Sequence, residues 1–264
     1  RNRKKYDLQS RQLKGTEKRD KYKVYGELIN TYGYNLEPGS KELTALNYYT
    51  NEEITIPLDP TQTPGENAQR YFAKYNKQKR TFEALTELIR ETADDIQYLE
   101  SISNALDIAL SEADLAQIKE ELMLSGYIRR KHTKKKVKLT SKPMHYISSD
   151  GYDMYVGKNN LQNEELTFSF ANGNDWWFHA KGAPGSHVIV KSGGDELPDQ
   201  TFEEAGRLAA YYSKNRGADK VEIDYIQKKH VKKPNGAKPG FVVYYTNYSL
   251  VIDSDISNIK NVQD

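Results

Sequence analysis

From about Phe72 to Leu110 the apolar residues recur at a seven-residue spacing. Tyr75, Phe82, Ile89, Ile96 and Leu110 hold one seam position, and Leu85, Leu99 and Leu106 hold the other. Gln78, Thr92 and Ser103 interrupt it with polar side chains, so this is a narrow coiled-coil seam rather than the broad apolar stripe of a globular helix. Thr63, Pro64 and Glu66 form a clean helix start. A helix of about 40 residues rises about 60 Å and needs a partner along its length. Tyr22, Tyr25, Ile29 and Tyr32 step by three, four and three residues and supply one, which predicts antiparallel pairing. Between the two helices, residues 34 to 60 carry a Pro38-Gly39 turn, Tyr48-Tyr49 and Ile54-Thr55-Ile56, the grammar of a small tip with short strands. An ordinary helical hairpin bundle has the same seam and stays open as an alternative.

A shorter helix is expected over Glu112 to Leu124, with Leu115, Ile118 and Leu122 on one face and Gly126 as its stop. Beyond Pro143 the pattern changes to strands near His145 to Ile147 and Tyr152 to Val156, around Ser149-Asp150-Gly151. Asn163-Glu164-Glu165 reads as a cap leading into Leu166 to Ala171. Thr201-Phe202-Glu203-Glu204 matches a capping box for a helix that buries Leu208 and Tyr212. Val221 to Ile226, Phe241 to Thr246 and Leu250 to Ile252 read as further strands. The expected fold class is therefore α+β: a long antiparallel coiled coil with a small tip, then a compact α+β domain with a mainly antiparallel sheet. The boundaries follow as an arm over 1–128 with its tip at about 34–60, a basic linker over 129–142 and a domain over 143–264.

Residues 175 to 187 gather both tryptophans, two of the five histidines and a Pro-Gly turn. Trp176 to Ala180 and Ser186 to Val190 flank a five-residue loop, Lys181 to Gly185, as in a hairpin. Counting back from that loop sets Ala180 against Ser186 and His179 against His187, with Trp177 on the histidine face. Two imidazoles and an indole beside Lys181 can hold a phosphate, stack a base or bind a metal with Asp175. A plain core hairpin fits the same residues. General base work by His187 with Ser186 or Asp150 would need a converging geometry that spacing does not supply, so no catalytic residue, metal or cofactor is assigned.

The net charge of +2 conceals segregation. Arg1 to Val24 is strongly basic, Arg129 to Lys142 has no acid, and Lys228 to Lys238 holds Lys228, Lys229, Lys232, Lys233 and Lys238 without an acid. Glu83 to Glu121, by contrast, is acidic apart from Arg90 and Lys119. Separated basic blocks steer polyanions, although a single block is often only a solvated face. No cysteine is present, which excludes disulfides and thiolate metal sites and fits a reducing cytosol. No apolar run reaches membrane-spanning length and no export signal is read. Arg1-Asn2-Arg3-Lys4-Lys5 opens in the middle of a helical pattern, as in an excised fragment.

Asp150-Gly151-Tyr152, Trp177-Phe178-His179-Ala180-Lys181, Pro184-Gly185-Ser186-His187, Val231-Lys232-Lys233-Pro234 and Gly236-Ala237-Lys238-Pro239-Gly240 occur in an order that resembles the C-terminal RNA-binding domain of the NFACT family. Glu53-Ile54-Thr55-Ile56-Pro57-Leu58-Asp59-Pro60 and Asn67-Ala68-Gln69-Arg70-Tyr71-Phe72 resemble that family's middle coiled-coil region. The resemblance implies a non-enzymatic, cytoplasmic factor. Such a factor binds large ribosomal subunits carrying stalled nascent chains, reaches the stalk base with its coiled-coil tip, and brings alanyl-tRNA for C-terminal alanine tailing. The family's N-terminal domain is not seen in this sequence, so tRNA selection cannot be carried over. Trp177, His179, Lys181, His187, Lys228, Lys229, Lys232, Lys233 and Lys238 are the candidate RNA-binding residues. Fibronectin binding by a surface adhesin is the alternative that the family's other name implies.

Overall fold

A computed structural model describes residues 1–129 and 141–262. The chain divides into two compact units, Arg1–Ile96 and Gln97–Asp264. Among the described residues no helix is long and apolar enough to cross a membrane.

In the first unit, α1 (Asn2–Lys14) and α2 (Arg19–Tyr32) are separated by a short turn, where the buried Thr16 hydroxyl donates to the Leu13 carbonyl at 2.6 Å. The long helix α3 (Pro64–Ile108) starts as its sequence predicts, with the Glu66 carboxylate accepting from the Thr63 backbone N–H at 2.7 Å. Neighbouring residues run in opposite senses along the two sides of the arm. Gln9 meets Thr92, Arg19 covers the Phe82 ring, Tyr22 stacks on Tyr71, and a Cβ on Gly33 would touch Pro64. The pairing is antiparallel. Gly26 permits its closest point, since a Cβ there would lie 2.8 Å from the Phe72 ring.

The strands of the tip are β1 (Glu42–Asn47) and β2 (Glu52–Pro57), paired antiparallel. Tyr48 and Tyr49 belong to the turn and not to a strand, because Asn51 takes a positive φ and closes the loop directly behind them. Leu43, Ala45 and Ile56 from this hairpin bury against Leu28, Ile29, Ala68 and Tyr71, so the tip end is where this unit keeps its apolar core.

In the second unit the end of α3 buries Tyr98, Ile102, Ala105 and Ile108. Leu106 and Leu110 are exposed, contrary to the heptad reading. The helix here packs on α4 (Glu112–Leu124), whose Ile118 and Leu122 take the face carrying Tyr98, Ile102 and Ala105. Leu115 also stays half exposed. A capping box between Ser111 and Asp114 starts α4.

Seven strands follow: β3 (Met144–Ile147), β4 (Asp153–Val156), β5 (Trp176–Ala180), β6 (Val188–Val190), β7 (Val221–Gln227), β8 (Tyr248–Ile252) and β9 (Lys260–Asn261). They form one sheet in the order β8-β7-β5-β6-β4-β3-β9, and every neighbouring pair is antiparallel. Two helices flank it, α5 (Asn160–Glu165) and α6 (Asp199–Tyr211). Helix α6 covers one face, burying Ala205, Leu208 and Ala209 against Phe178, Val188 and Ile223. The other face is closed by α5, the π-helical segment Leu166–Phe170 and the chain around Val231, Val242 and Tyr244.

Three local readings are corrected. Asn159, not Asn163, caps α5, its side chain accepting from the Gln162 N–H at 3.0 Å. Thr201 and Glu204 do not cap α6, which begins at Asp199; they bind the β3–β4 turn instead, Thr201 to Asp150 at 2.7 Å and Glu204 to the Ser149 N–H at 2.8 Å. Residues 241 to 246 form no strand, making a single bridge between Lys232 and Val243 and laying Val242 and Tyr244 over Trp177.

Candidate nucleic-acid interface

The hairpin pairs Trp176 with Val190, Trp177 with Ile189 and Phe178 with Val188. That register continues to His179 opposite His187, the pairing the loop length predicts. The two imidazole centroids are 5.5 Å apart and perpendicular, and Trp177 lies 5.6 Å from His179 and 5.1 Å from His187. The sequence did not reveal how completely this face is covered. Trp177 is 0% exposed and Tyr244 lies 4.9 Å across its ring, so its indole offers no free face to a base. His187 is buried, with Nδ1 2.8 Å from the Thr167 hydroxyl and its backbone N–H donating to Asn163 Oδ1 at 2.9 Å. Gly157 makes room for that asparagine, since a Cβ would fall 2.1 Å from Oδ1.

Burial pushes the His179 pKa down to about 4, and burial together with the neighbouring His179 holds His187 well below the usual imidazole range. Both rings are neutral at physiological pH and supply no charge for a phosphate. Beside them Asp224, opposite His179 across β7, accepts from the Tyr244 hydroxyl at 2.9 Å and the Ser249 hydroxyl at 2.6 Å. Asp175 is held elsewhere, by Lys191 and the Asn172 and Ser192 backbone N–H groups. Among the described residues no group of three or more acidic or imidazole side chains could hold a metal ion.

The lysines differ from one another. Lys181 is ion-paired to Glu222, and Lys233 to Glu164 at 2.7 Å. Lys238 donates to the Tyr127 hydroxyl at 3.1 Å and covers the Tyr98 ring at 4.7 Å. Lys228 sits 5.9 Å from the Phe168 ring, while Lys229 and Lys232 are exposed and form no ion pair among the described residues. Backbone bonds fix their loop: Lys228 N–H to the Asp175 carbonyl at 2.8 Å, Lys229 N–H to Gly173 at 3.0 Å, and the Lys232–Val243 pair at 2.9 and 2.8 Å. Gly240, at φ +74°, closes the loop where a Cβ would crowd Asn160. Of the basic run 129–142, residues 130 to 140 lie outside the described residues.

A further cluster escaped the sequence reading. His145 stacks on Tyr155 at 4.5 Å, Tyr155 meets Phe170 edge-on at 4.7 Å, and Lys191 lies 4.8 Å over Phe170. The first of these was countable, because a turn at Ser149-Asp150-Gly151 sets residue 145 against 155. The others depend on the π-helical segment, which has no signature in the sequence.

A family model described as NFACT N-terminal and middle domains matches residues 1–141, and one described as NFACT protein RNA binding domain matches residues 142–245. The chain belongs to the NFACT family. It is 42% identical over 263 residues to "Rqc2 homolog RqcH" of Streptococcus pneumoniae strain R6, covering 99% of this chain and 47% of that one. The protein of the same description from Bacillus subtilis strain 168 is 41% identical over 254 residues, covering 94% of this chain and 44% of its own. The chain thus spans about half the length of the curated relatives it matches. A solved structure described as the C-terminal of the fibronectin/fibrinogen-binding protein from Streptococcus suis superposes with a TM-score of 0.74 at 38% identity, over 98% of this chain and 92% of that chain. The lysine loop and the Trp-His face both fall inside the span matched by the NFACT RNA-binding model.

Proposed function

We propose that this chain is the RNA- and ribosome-binding portion of a ribosome-associated quality-control factor. Its C-terminal domain, residues 143–264, binds RNA through Lys228, Lys229 and Lys232 set against phosphates. Lys181, Lys233 and Lys238, once their present partners yield, add to the same surface, and the basic linker 129–142 adds positive charge to the chain. Trp177, His179 and His187 support it from beneath as neutral packing. The arm, residues 1–128, carries its tip to the stalk base of the large subunit. In the whole protein these parts bind subunits with stalled nascent chains and bring alanyl-tRNA for alanine tailing, in the cytoplasm and as a binding factor rather than an enzyme.

The observation that carries this reading is the loop of residues 228–240. A family RNA-binding region places exposed lysines on a backbone-fixed turn, and lysine–phosphate pairing gives affinity that falls with salt. The test is co-sedimentation with purified large and small subunits across a salt series. Large-subunit association is expected to weaken when Lys229 and Lys232 are changed to Glu, with a shallower salt dependence; unchanged association would remove the loop from the interface. A second reading, a fibronectin-binding surface adhesin, draws support from the Streptococcus suis structure's description. Recovery of the protein on the cell surface, without ribosomal subunits in the cytosolic fraction, would favour it.

A further inference from the structure

The antiparallel register of the arm sets two different charge arrangements along its length. Gln9 meets Thr92, so basic α1 runs along the acidic stretch Glu83 to Asp95 of α3. Further along, Arg19 over Phe82, Tyr22 on Tyr71 and Gly26 against Phe72 bring residues 19 to 26 of α2 beside residues 71 to 82 of α3, and both segments are net basic. Lys18 and Lys21 are three residues apart at the start of α2, and Lys74 and Lys77 are three apart on α3, so each pair shares one helix face. All four are exposed.

The Tyr22 ring joins the two rows, with the Lys21 ammonium 5.0 Å and the Lys74 ammonium 5.7 Å from its centroid. Lys74 also lies 5.3 Å from the Tyr71 ring. Among the described residues none of the four forms an ion pair, and the nearby Glu17 and Asp20 make none either. Aromatic faces attract ammonium groups without cancelling their charge. Side-by-side lysines repel one another, and a row of phosphates relieves that repulsion.

We propose that this middle stretch of the arm is a second, sequence-independent RNA site that takes the phosphate backbone of a duplex on Lys18, Lys21, Lys74 and Lys77. Tyr22 and Tyr71 stack on each other and under Lys21 and Lys74, so they carry those two lysines and read no base. The site rests on the arm's own charges and goes beyond the loop of the C-terminal domain.

The test measures binding of the whole chain to a short blunt RNA duplex of arbitrary sequence across a salt series. Changing the four lysines to Gln is expected to weaken binding about tenfold or more at low salt, and to flatten the slope of log K against log salt by about 0.9 for each phosphate that is no longer neutralised. Changing the same four to Arg keeps the charge and is expected to restore both, which separates charge from any failure of folding. A parallel variant changes Lys228, Lys229 and Lys232 to Gln. Loss of binding in the loop variant alone would overturn the arm site and leave the loop reading standing; loss in the arm variant alone would do the reverse. Displacement of wild type by polyglutamate as readily as by unlabelled duplex would overturn the assignment to RNA.

Discussion

The two units hold their cations differently. In Gln97–Asp264, Lys158 meets Asp114, Lys181 meets Glu222, Lys191 meets Asp175 and Lys233 meets Glu164, each pairing residues far apart in the chain. In Arg1–Ile96, Arg70 reaches Asp59 and two pairs lie one helical turn apart, while Arg19, Lys21 and Lys74 rest on aromatic rings. A folded sheet returns the chain many times and can bring an acid to a lysine from a distant part of the sequence. Two antiparallel helices offer each residue only the neighbour its register dictates. A block that looks basic in the sequence can therefore be neutralised in one unit and left bare in the other. Only the three-dimensional pairing separates the two cases.

The largest expected effect tests whether the C-terminal unit is organised around its sheet. Trp177 is fully buried between Ile189, Ile226 and Val231, so Trp177→Ala should cost about 3–5 kcal/mol through forfeited burial and the cavity left behind. Trp176 remains as a fluorescent reporter, and both tryptophans lie in this unit, so urea unfolding followed by tryptophan emission reads it alone. A cost below about 1 kcal/mol would mean that residues 241 to 246 do not seal the Trp177 face.

A pH series sharpens the contrast, because residues 1 to 96 contain no histidine. Folding lowers the pKa of His179 and His187, so below about pH 6.5 the unfolded chain binds more protons than the folded one, and stability falls with pH. Each fully coupled histidine gives a slope of about 1.4 kcal/mol per pH unit, and the share of His179 is smaller because that residue is only partly buried. Glu121 opposes this. Its burial raises its pKa, so the folded state holds a proton that the unfolded state releases, and acid favours folding through that group. The two histidines destabilise the fold as the pH falls below about 6.5, and Glu121 offsets part of that loss. Glu121→Gln should steepen the fall and His187→Gln should flatten it. The arm should respond only below about pH 4, where Asp59 and Glu66 lose the hydrogen bonds from Thr61 and Thr63 that lower their pKa values. A urea midpoint by tryptophan emission that does not move from pH 7 to 5 would count against the buried, neutral histidine pair.

Much of this was legible, and the failures share a cause. The start of α3 at Thr63-Pro64-Glu66, the span of α4 and the register of His179 against His187 follow from local grammar or counting. The exposure of Leu106 and Leu110 could not be read, because a heptad pattern does not say where the partner helix changes. Thr201 and Glu204 fitted a capping box but bind a turn some fifty residues earlier, a tertiary claim on side chains with a local alternative. At the candidate site, counting brought Trp177, His179 and His187 to one face but did not give their exposure. Whether Trp177 faces solvent is decided by Tyr244, and whether Lys233 is free is decided by Glu164.

In the arm, the Thr92 hydroxyl donates to Gln9 Oε1 at 3.0 Å and also lies 2.7 Å from the Leu88 carbonyl, at one of the polar interruptions of the seam. A single polar pair at such a position specifies register at some cost in stability. Thr92→Val alone strands the buried Gln9 amide and should cost about 1 kcal/mol, whereas Gln9→Leu with Thr92→Val should recover that loss or exceed it. Equal stability of the single and double variants, by thermal melting of the helical signal, would show that the pair is not coupled.

The smallest effect belongs to the ion pairs that set the two units apart. Lys181 and Glu222 are each about half exposed, at 48%, and partners at such sites interact by roughly 0.2–1 kcal/mol because solvent screens them. Lys181→Ala should therefore barely move the urea midpoint. In RNA binding the pair should show little change when Lys181 is removed, but tighter binding when Glu222→Gln frees it. A double-mutant cycle in RNA affinity measures this directly. If Lys181→Ala weakens binding as much as Lys232→Ala does, pairing with a carboxylate does not take a lysine out of use, and the two units do not differ in how many cations they leave for a polyanion.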